Sequence, residues 1–423
     1  MFELQGNRKI NKIFEISIQL LYIYIFWGIN IQHMVFIKPI MVFAMAGLLF
    51  LLFLILWISI TNFKIRKNSI CLVWLPYLLY ICFGYLVNGD IEYLLYRMIC
   101  FFMITCAFYI PNFADYLPTK LIIINSVIAI IGILFQIVFM GQYNSIIASL
   151  FSNRSMITYL GSVGYFNGFF YQWELTAEAI LYGIGIILYF KNNNDTLKLK
   201  ILRRLYLVLS VGCIFLTGKR MLSVLSIIVP VFVSWCGQKG LNKKIKFLMV
   251  CCILGVSLLF VSSSGLLKNT QYQGLNKVTE GIETILSGSK IEDTTRSDLQ
   301  NSAILLFKEN PVFGCGVGRF IMESGSDTDV HNTYLQILCE QGVVGILLYL
   351  IPLILIFIKT IIRTRENTDD SYLKYSLYIQ TVYLLNSFTE NAGLNLSGFI
   401  VYFIAIGILN RIESNTQMED DYV

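Results

Sequence analysis

A chain of 423 residues that is 56% apolar and 14% aromatic, with only 14% of its residues charged and a mean hydropathy of +0.68, is too rich in apolar side chains for a soluble globular domain. The net charge of +6 does not point to nucleic acid, because the lysines and arginines cluster beside apolar runs, where they anchor a membrane protein. Continuous apolar runs, in place of alternation over about ten residues, exclude a transmembrane β-barrel and leave helices as the spanning element.

About twelve spans follow in chain order, near residues 13–32, 37–60, 70–87, 94–110, 121–140, 174–190, 203–218, 220–236, 246–264, 333–358, 375–389 and 395–410. Each is close to the length that crosses a hydrocarbon core of about 30 Å. The first carries Glu15 and Gln19, the seventh is short, and the eleventh contains Gln380 and Asn386, so these three are the weakest. The first span also holds Trp27 and Asn30 and lacks a small-residue cleavage pattern, which argues against a removable signal peptide. Lys64, Arg66, Lys67, Lys198, Arg203, Lys243, Lys244, Arg363 and Arg365 fall in alternate connections and, with most of the 32 basic residues, predict a cytoplasmic side that holds both termini. The expected architecture is an all-α polytopic membrane protein. Residues 1–264 form helices 1–9, 265–332 a large extracytoplasmic loop containing a short amphipathic helix, 333–410 helices 10–12, and 411–423 a cytoplasmic tail. Of ten cysteines only Cys315 falls in an outer loop, so no disulfide framework is expected.

Two outward connections are long. Residues 141–173 carry nine aromatic residues and one base, Arg154; this is the pattern of an interfacial girdle, or of a surface on which sugar rings stack. The second, 265–332, is polar until Leu299, Ala303, Leu306 and Phe307 mark one stripe of an amphipathic helix beginning near Ser297, ended by Asn310 and Pro311. Gly314, Gly316 and Gly318 then make a sharp turn that is neither a dinucleotide fingerprint nor a Walker loop.

Several residues in this framework could carry chemistry. Lys219 and Arg220 lie between two apolar runs on the outward side, against the charge bias, where a charge drawn into the bilayer costs about 2.5–3.5 kcal/mol or more. Arg296 and Arg319 flank the loop helix and the glycine turn, and guanidinium forks match phosphate oxygens. His331, one of two histidines, stands at the outer start of a span, where an imidazole can exchange protons near neutrality. His33 has no such company. Asn332 adjoins His331, Glu340 follows nine residues on, and Gly342 and Gly345 are spaced to let another helix approach. Asp90 with Glu92, or Asp327 with Asp329, are pairs that a divalent cation could bridge, although such pairs are more often solvated loop residues.

The run "NPVFGCGVGRF" followed by "HNTYLQILCEQGVVGILLYL" resembles the signature of the O-antigen polymerase and O-antigen ligase superfamily. "LTGKRMLSVL" resembles that family's Thr-x-Ser-Arg element, with Lys219 where serine is usual, and "TTRSDLQNSAILLF" its arginine-led loop helix. The similarity covers roughly residues 205–350. It implies a multi-pass protein of the bacterial cytoplasmic membrane, with an active site on the extracytoplasmic side. This protein would transfer an oligosaccharide from a polyprenyl-pyrophosphate carrier to an acceptor without cofactor or metal. The family's two arginines fall on Arg220 and Arg296 and its histidine on His331, the expected catalytic set. Arg154, Lys219, Gly316, Gly318, Arg319 and Asn332 are the expected substrate contacts. The implied partners are the lipid-linked oligosaccharide and the growing polysaccharide chain, with a chain-length regulator as the protein partner the resemblance suggests. A repeat-unit polymerase is favoured over a ligase that uses a lipid A-core acceptor. The rivals are a lipid-linked oligosaccharide flippase and a metal-dependent glycosyltransferase built on Asp90 and Glu92.

Overall fold

The computed structural model describes residues 33–37, 69–88, 117–190, 196–238, 294–391 and 401–409, with isolated positions elsewhere. Among the described residues every regular element is a helix, beside one isolated antiparallel bridge between Met34 and Phe151. Besides short helical turns over Met140–Gln142, Tyr143–Ile147 and Ala148–Leu150, the helices are α1 (Ser69–Asn88), α2 (Thr119–Val138), α3 (Arg154–Ser162), α4 (Trp173–Tyr189), α5 (Leu197–Leu216), α6 (Arg220–Cys236), α7 (Thr294–Glu309), α8 (Phe320–Ser324), α9 (Thr333–Glu366) and α10 (Ser371–Asn386). Residues 401–409 are also helical.

Within the described residues α2 and α9 are long and apolar enough to cross a membrane, and shorter apolar helices run over Val73–Gly84 and Arg220–Cys236. The spans expected near 37–60, 94–110 and 246–264 lie essentially outside the described residues, as do Asp90, Glu92 and most of 265–293. Where a span is described, the helix often outruns its apolar run. Helix α5 begins at Leu197, where the Thr196 side chain caps it by accepting from the Leu199 N–H at 3.4 Å. The stretch "LKLKILRR" that follows consists of good helix formers, so the helix continues beyond the apolar run. The amphipathic loop helix is present as α7, starting at Thr294.

Helix α4 packs on α2 and α5, and α6 packs on α10. Close approach depends on small residues: a Cβ on Gly183 would meet the Ser126 and Tyr206 side chains, and one on Gly185 the ring of Tyr378. Trp74 of α1 is fully buried and lies edge-on to Tyr77, Tyr349 and Tyr402, which ties α1, α9 and the 401–409 helix into one aromatic cluster.

The longest helix is two helices in one. Gly342 has φ 64° and ψ −164°, which no α-helix contains, so α9 breaks there. In a straight helix Tyr334 and Tyr349 would stand about 22 Å apart along the axis; their ring centroids are 6.2 Å apart. The segment 333–341 therefore folds back over the end of the bundle, and Tyr334 donates its hydroxyl to the Leu384 carbonyl at 2.8 Å. The break is held by the glycine turn: Val343 N–H donates to the Pro311 carbonyl at 2.9 Å and Val344 N–H to that of Val312 at 3.2 Å. A side chain at Gly342 would collide with the backbone of Val312 and Phe313. The close approach foreseen at Gly342 is real, but the partner is a turn. Gly345 instead faces the Gln341 side chain of the folded-back segment across the break. Above the break, Leu299, Ala303, Phe320, Val330 and Cys339 form a second small core joining α7, α8 and α9.

Candidate functional site

The turn after α10 is fastened to the start of α9. Thr333 N–H donates to the Ser387 carbonyl at 2.9 Å and the Thr333 hydroxyl to the Glu390 carbonyl at 3.0 Å, while Glu390 N–H closes onto Asn386 at 2.9 Å. These bonds fix the Glu390 carboxylate, whose side chain is only 8% exposed. Three basic side chains converge on it. Lys219 Nζ lies 3.0 Å and an Arg296 guanidinium nitrogen 3.5 Å from Oε1, and His331 Nδ1 lies 3.3 Å from Oε2. Lys219 Nζ is also 3.5 Å from Glu174 Oε2, at the first turn of α4.

Each arm has a local reason for its place. Helix α5 ends at Thr217, and Gly218, with φ 71°, reverses the chain so that Lys219 stands just before α6 and within reach of Glu174 on α4. Arg296 is placed by the packing of α7 on α9. His331 is, among the described residues, the one non-glycine with positive φ, at 55°. The next residue, Asn332, caps α9 by accepting from the Leu335 N–H at 3.0 Å, so the tight bend at His331 carries its ring to the carboxylate.

Burial would push the Glu390 carboxyl up. The His331 hydrogen bond, the Lys219 ammonium and the Arg296 guanidinium outweigh it and hold the group down to about 2. Burial likewise works against the charge on Lys219, yet Glu174 and Glu390 together raise its pKa above the usual lysine value. Glu390 and Lys219 are thus a pair held in its charged form.

Of the residues picked out in the sequence, Lys219, Arg296 and His331 come together here, and Arg220 follows Lys219 as the first residue of α6. The Arg220 Nε is buried with no hydrogen-bond partner among the described residues. The others stand elsewhere. Arg154 is exposed at the start of α3. Arg319 lies 3.8 Å from Glu323 on the surface. The N–H groups of the glycine turn are engaged within the chain: Gly318 donates to the Glu340 carboxylate at 2.9 Å and Gly316 to the Glu340 carbonyl at 2.9 Å. Glu340 also accepts from Phe320 N–H and from the Gln336 amide, so this buried carboxylate clamps the turn to α9. Asp329 accepts from Gln336 at 2.8 Å. No group of three or more metal-ligating side chains occurs among the described residues. His33 stacks on Tyr171 with ring centroids 3.9 Å apart. Within the aromatic connection Tyr143, Phe151, Phe166 and Phe170 are buried and Tyr159 is exposed.

Glu390 and Glu174 were not singled out from the sequence. The signal available was the one that drew attention to Arg220: an ionisable residue at the end of an apolar run.

Residues 205–350 match the family model described as O-antigen ligase. The match supports the O-antigen polymerase and ligase superfamily. It contains Lys219, Arg220, Arg296 and His331 and stops short of Glu390, with Glu174 before it. A comparison with curated proteins found no match.

Proposed function

We propose that this chain is a membrane glycosyltransferase that polymerises polyprenyl-pyrophosphate-linked oligosaccharide repeat units into O-antigen or capsular polysaccharide on the outer face of the cytoplasmic membrane. The family match to an O-antigen ligase model supports the reaction class. The observation that carries the reading to residues is the pairing of His331 Nδ1 with Glu390 Oε2 at 3.3 Å inside a cluster of cations. An imidazole whose Nδ1 faces a carboxylate presents Nε2 as the nitrogen that accepts a proton, and the carboxylate stabilises the imidazolium that results.

In the proposed step, His331 Nε2 takes the proton of the acceptor hydroxyl as that oxygen bonds to the anomeric carbon of the donor. The bond from the anomeric carbon to the pyrophosphate oxygen breaks, and its electron pair leaves with the pyrophosphate. The negative charge that grows there is met by Arg220 and Arg296, each interaction being about 4 kcal/mol at 4 Å in a partly shielded site. Lys219 serves Glu390 and Glu174 in this scheme and touches substrate indirectly. Arginine suits the role because its fork binds two phosphate oxygens at once. Arg→Lys at position 220 or 296 should therefore abolish most polymer at unchanged protein level. Full polymer from both variants would reduce these residues to anchors.

The test of the whole reading is the lipid-linked material that accumulates in cells lacking the protein. Single repeat units on the outer face are expected. Full-length polymer left on the carrier would make the protein a ligase, and single units left inside would make it a flippase.

A further inference from the structure

Below its break, α9 exposes one line of apolar side chains, Val343, Leu347, Ile351, Ile354, Ile358 and Ile362, at the three- and four-residue spacing of a single helix face. From Val343 to Ile362 the helix rises about 28 Å, against a hydrocarbon core of about 30 Å. Arg363 and Arg365 follow the inner end, so Val343 marks the level at which hydrocarbon gives way to headgroups on the outer side. The Pro311–Phe313 turn is bonded to that level through Val343 and Val344. A second helix carries exposed apolar side chains across the same level. Helix α1 exposes Leu79, Phe83 and Val87 along one face, its Gly84 abuts Val317, and its Tyr80 hydroxyl donates to the Gln341 carbonyl at 3.1 Å.

Pro311, Val312 and Phe313 are all exposed, Val312 at 53% and Phe313 at 65%. Three consecutive exposed apolar residues suit an aqueous loop poorly, but they continue the lipid-facing surfaces of two helices. We propose that this turn is seated in the outer leaflet of the bilayer, with phospholipid as its partner. Its depth cannot vary independently of α9: Gly314 has φ 71°, and a Cβ there would strike the backbone of Glu340 and Gln341. Lipid contact at Phe313 therefore sets the height of α7 and α8, and with α7 that of Arg296. The inference rests on the outward orientation of Val87 and Val343 and is separate from the transfer chemistry.

The full-length protein in phosphatidylcholine liposomes, doped with a phospholipid carrying a diazirine near the top of its acyl chain, tests it by photolabelling and peptide mapping. Adducts are expected on Val312 and Phe313 together with the upper α9 line, with little oxidation of the two side chains by hydroxyl radicals made in the water. Lipid adducts on α9 with none at 312–313, accompanied by strong aqueous oxidation there, would overturn the proposal. So would protection from both labels, which means that a second protein surface covers the turn, or an unlabelled α9 line. None of these readouts depends on transferase activity, so the proposed reaction can fail while the seated turn stands, and the reverse.

Discussion

A left-handed backbone costs a non-glycine residue about 1–2 kcal/mol, and this chain accepts that cost at His331. Such strain persists where the surroundings impose it, and it gathers at working sites. His331→Gly should relieve the backbone and His331→Ala should leave the fold intact, yet both should lose activity, by about 10²- to 10⁴-fold if the imidazole is the base. Rate measurements on well-expressed variants decide this, and wild-type polymer from either would return the residue to a bend with no chemistry. The carboxylate beneath it makes a prediction about pH. Glu390, held down to about 2 in the folded protein, contributes stability that is present above the ordinary glutamate value and is lost as pH falls through the folded value. Lys219, raised by its two carboxylates, contributes stability that is present below the ordinary lysine value and is lost as pH rises through its raised one. Lys219→Met removes one cation holding Glu390 down, so acid unfolding in detergent, followed by thermal melts at stepped pH, should begin at higher pH than in the wild type. An unmoved acid limb would mean that His331 and Arg296 suffice.

At the scale of elements, what could be read in advance was whatever a period or a cap encodes. The stripe of Leu299, Ala303, Leu306 and Phe307 specified α7, and the apolar runs either side of Lys219 and Arg220 specified α5 and α6, while the left-handed turn at Gly218 that joins them came only with the structure. The break at Gly342 was not legible. A glycine inside an apolar run looks the same whether it admits a helix or ends one, and only the docked turn at Pro311–Phe313 decides it. For the same reason Glu390 escaped notice: its meaning lies in partners 59, 94 and 171 positions away, which no local pattern carries. Gly342→Val should test the break. Its cost, at least about 1–3 kcal/mol from the backbone alone, should appear as a lower melting temperature. Gly212→Ala in α5, where a Cβ meets nothing within 4 Å, should be neutral or stabilising by up to about 1 kcal/mol. Equal melting temperatures for both variants would remove the special role given to Gly342.

For the whole molecule, composition set the class and basic residues set the expected orientation. Reporters fused after Lys64, Lys198, Lys243 and Arg363 should report cytoplasm, and one near Gly288 the outer face. A cytoplasmic Gly288 would invert the arrangement and put the cluster out of reach of an outward substrate. The cluster also draws on widely separated parts of the chain, with Glu174 first, then Lys219, Arg296 and His331, and Glu390 last. Translation delivers them in that order. Until Glu390 is made, Lys219 and Arg296 have only the Glu174 carboxylate to set against them, and their like charges oppose the closing of α7 onto α6. The second carboxylate exists only once the ribosome has passed residue 390, so the site comes together after α10 is made, and a chain stalled before that point holds the cations without the carboxylate that gathers them.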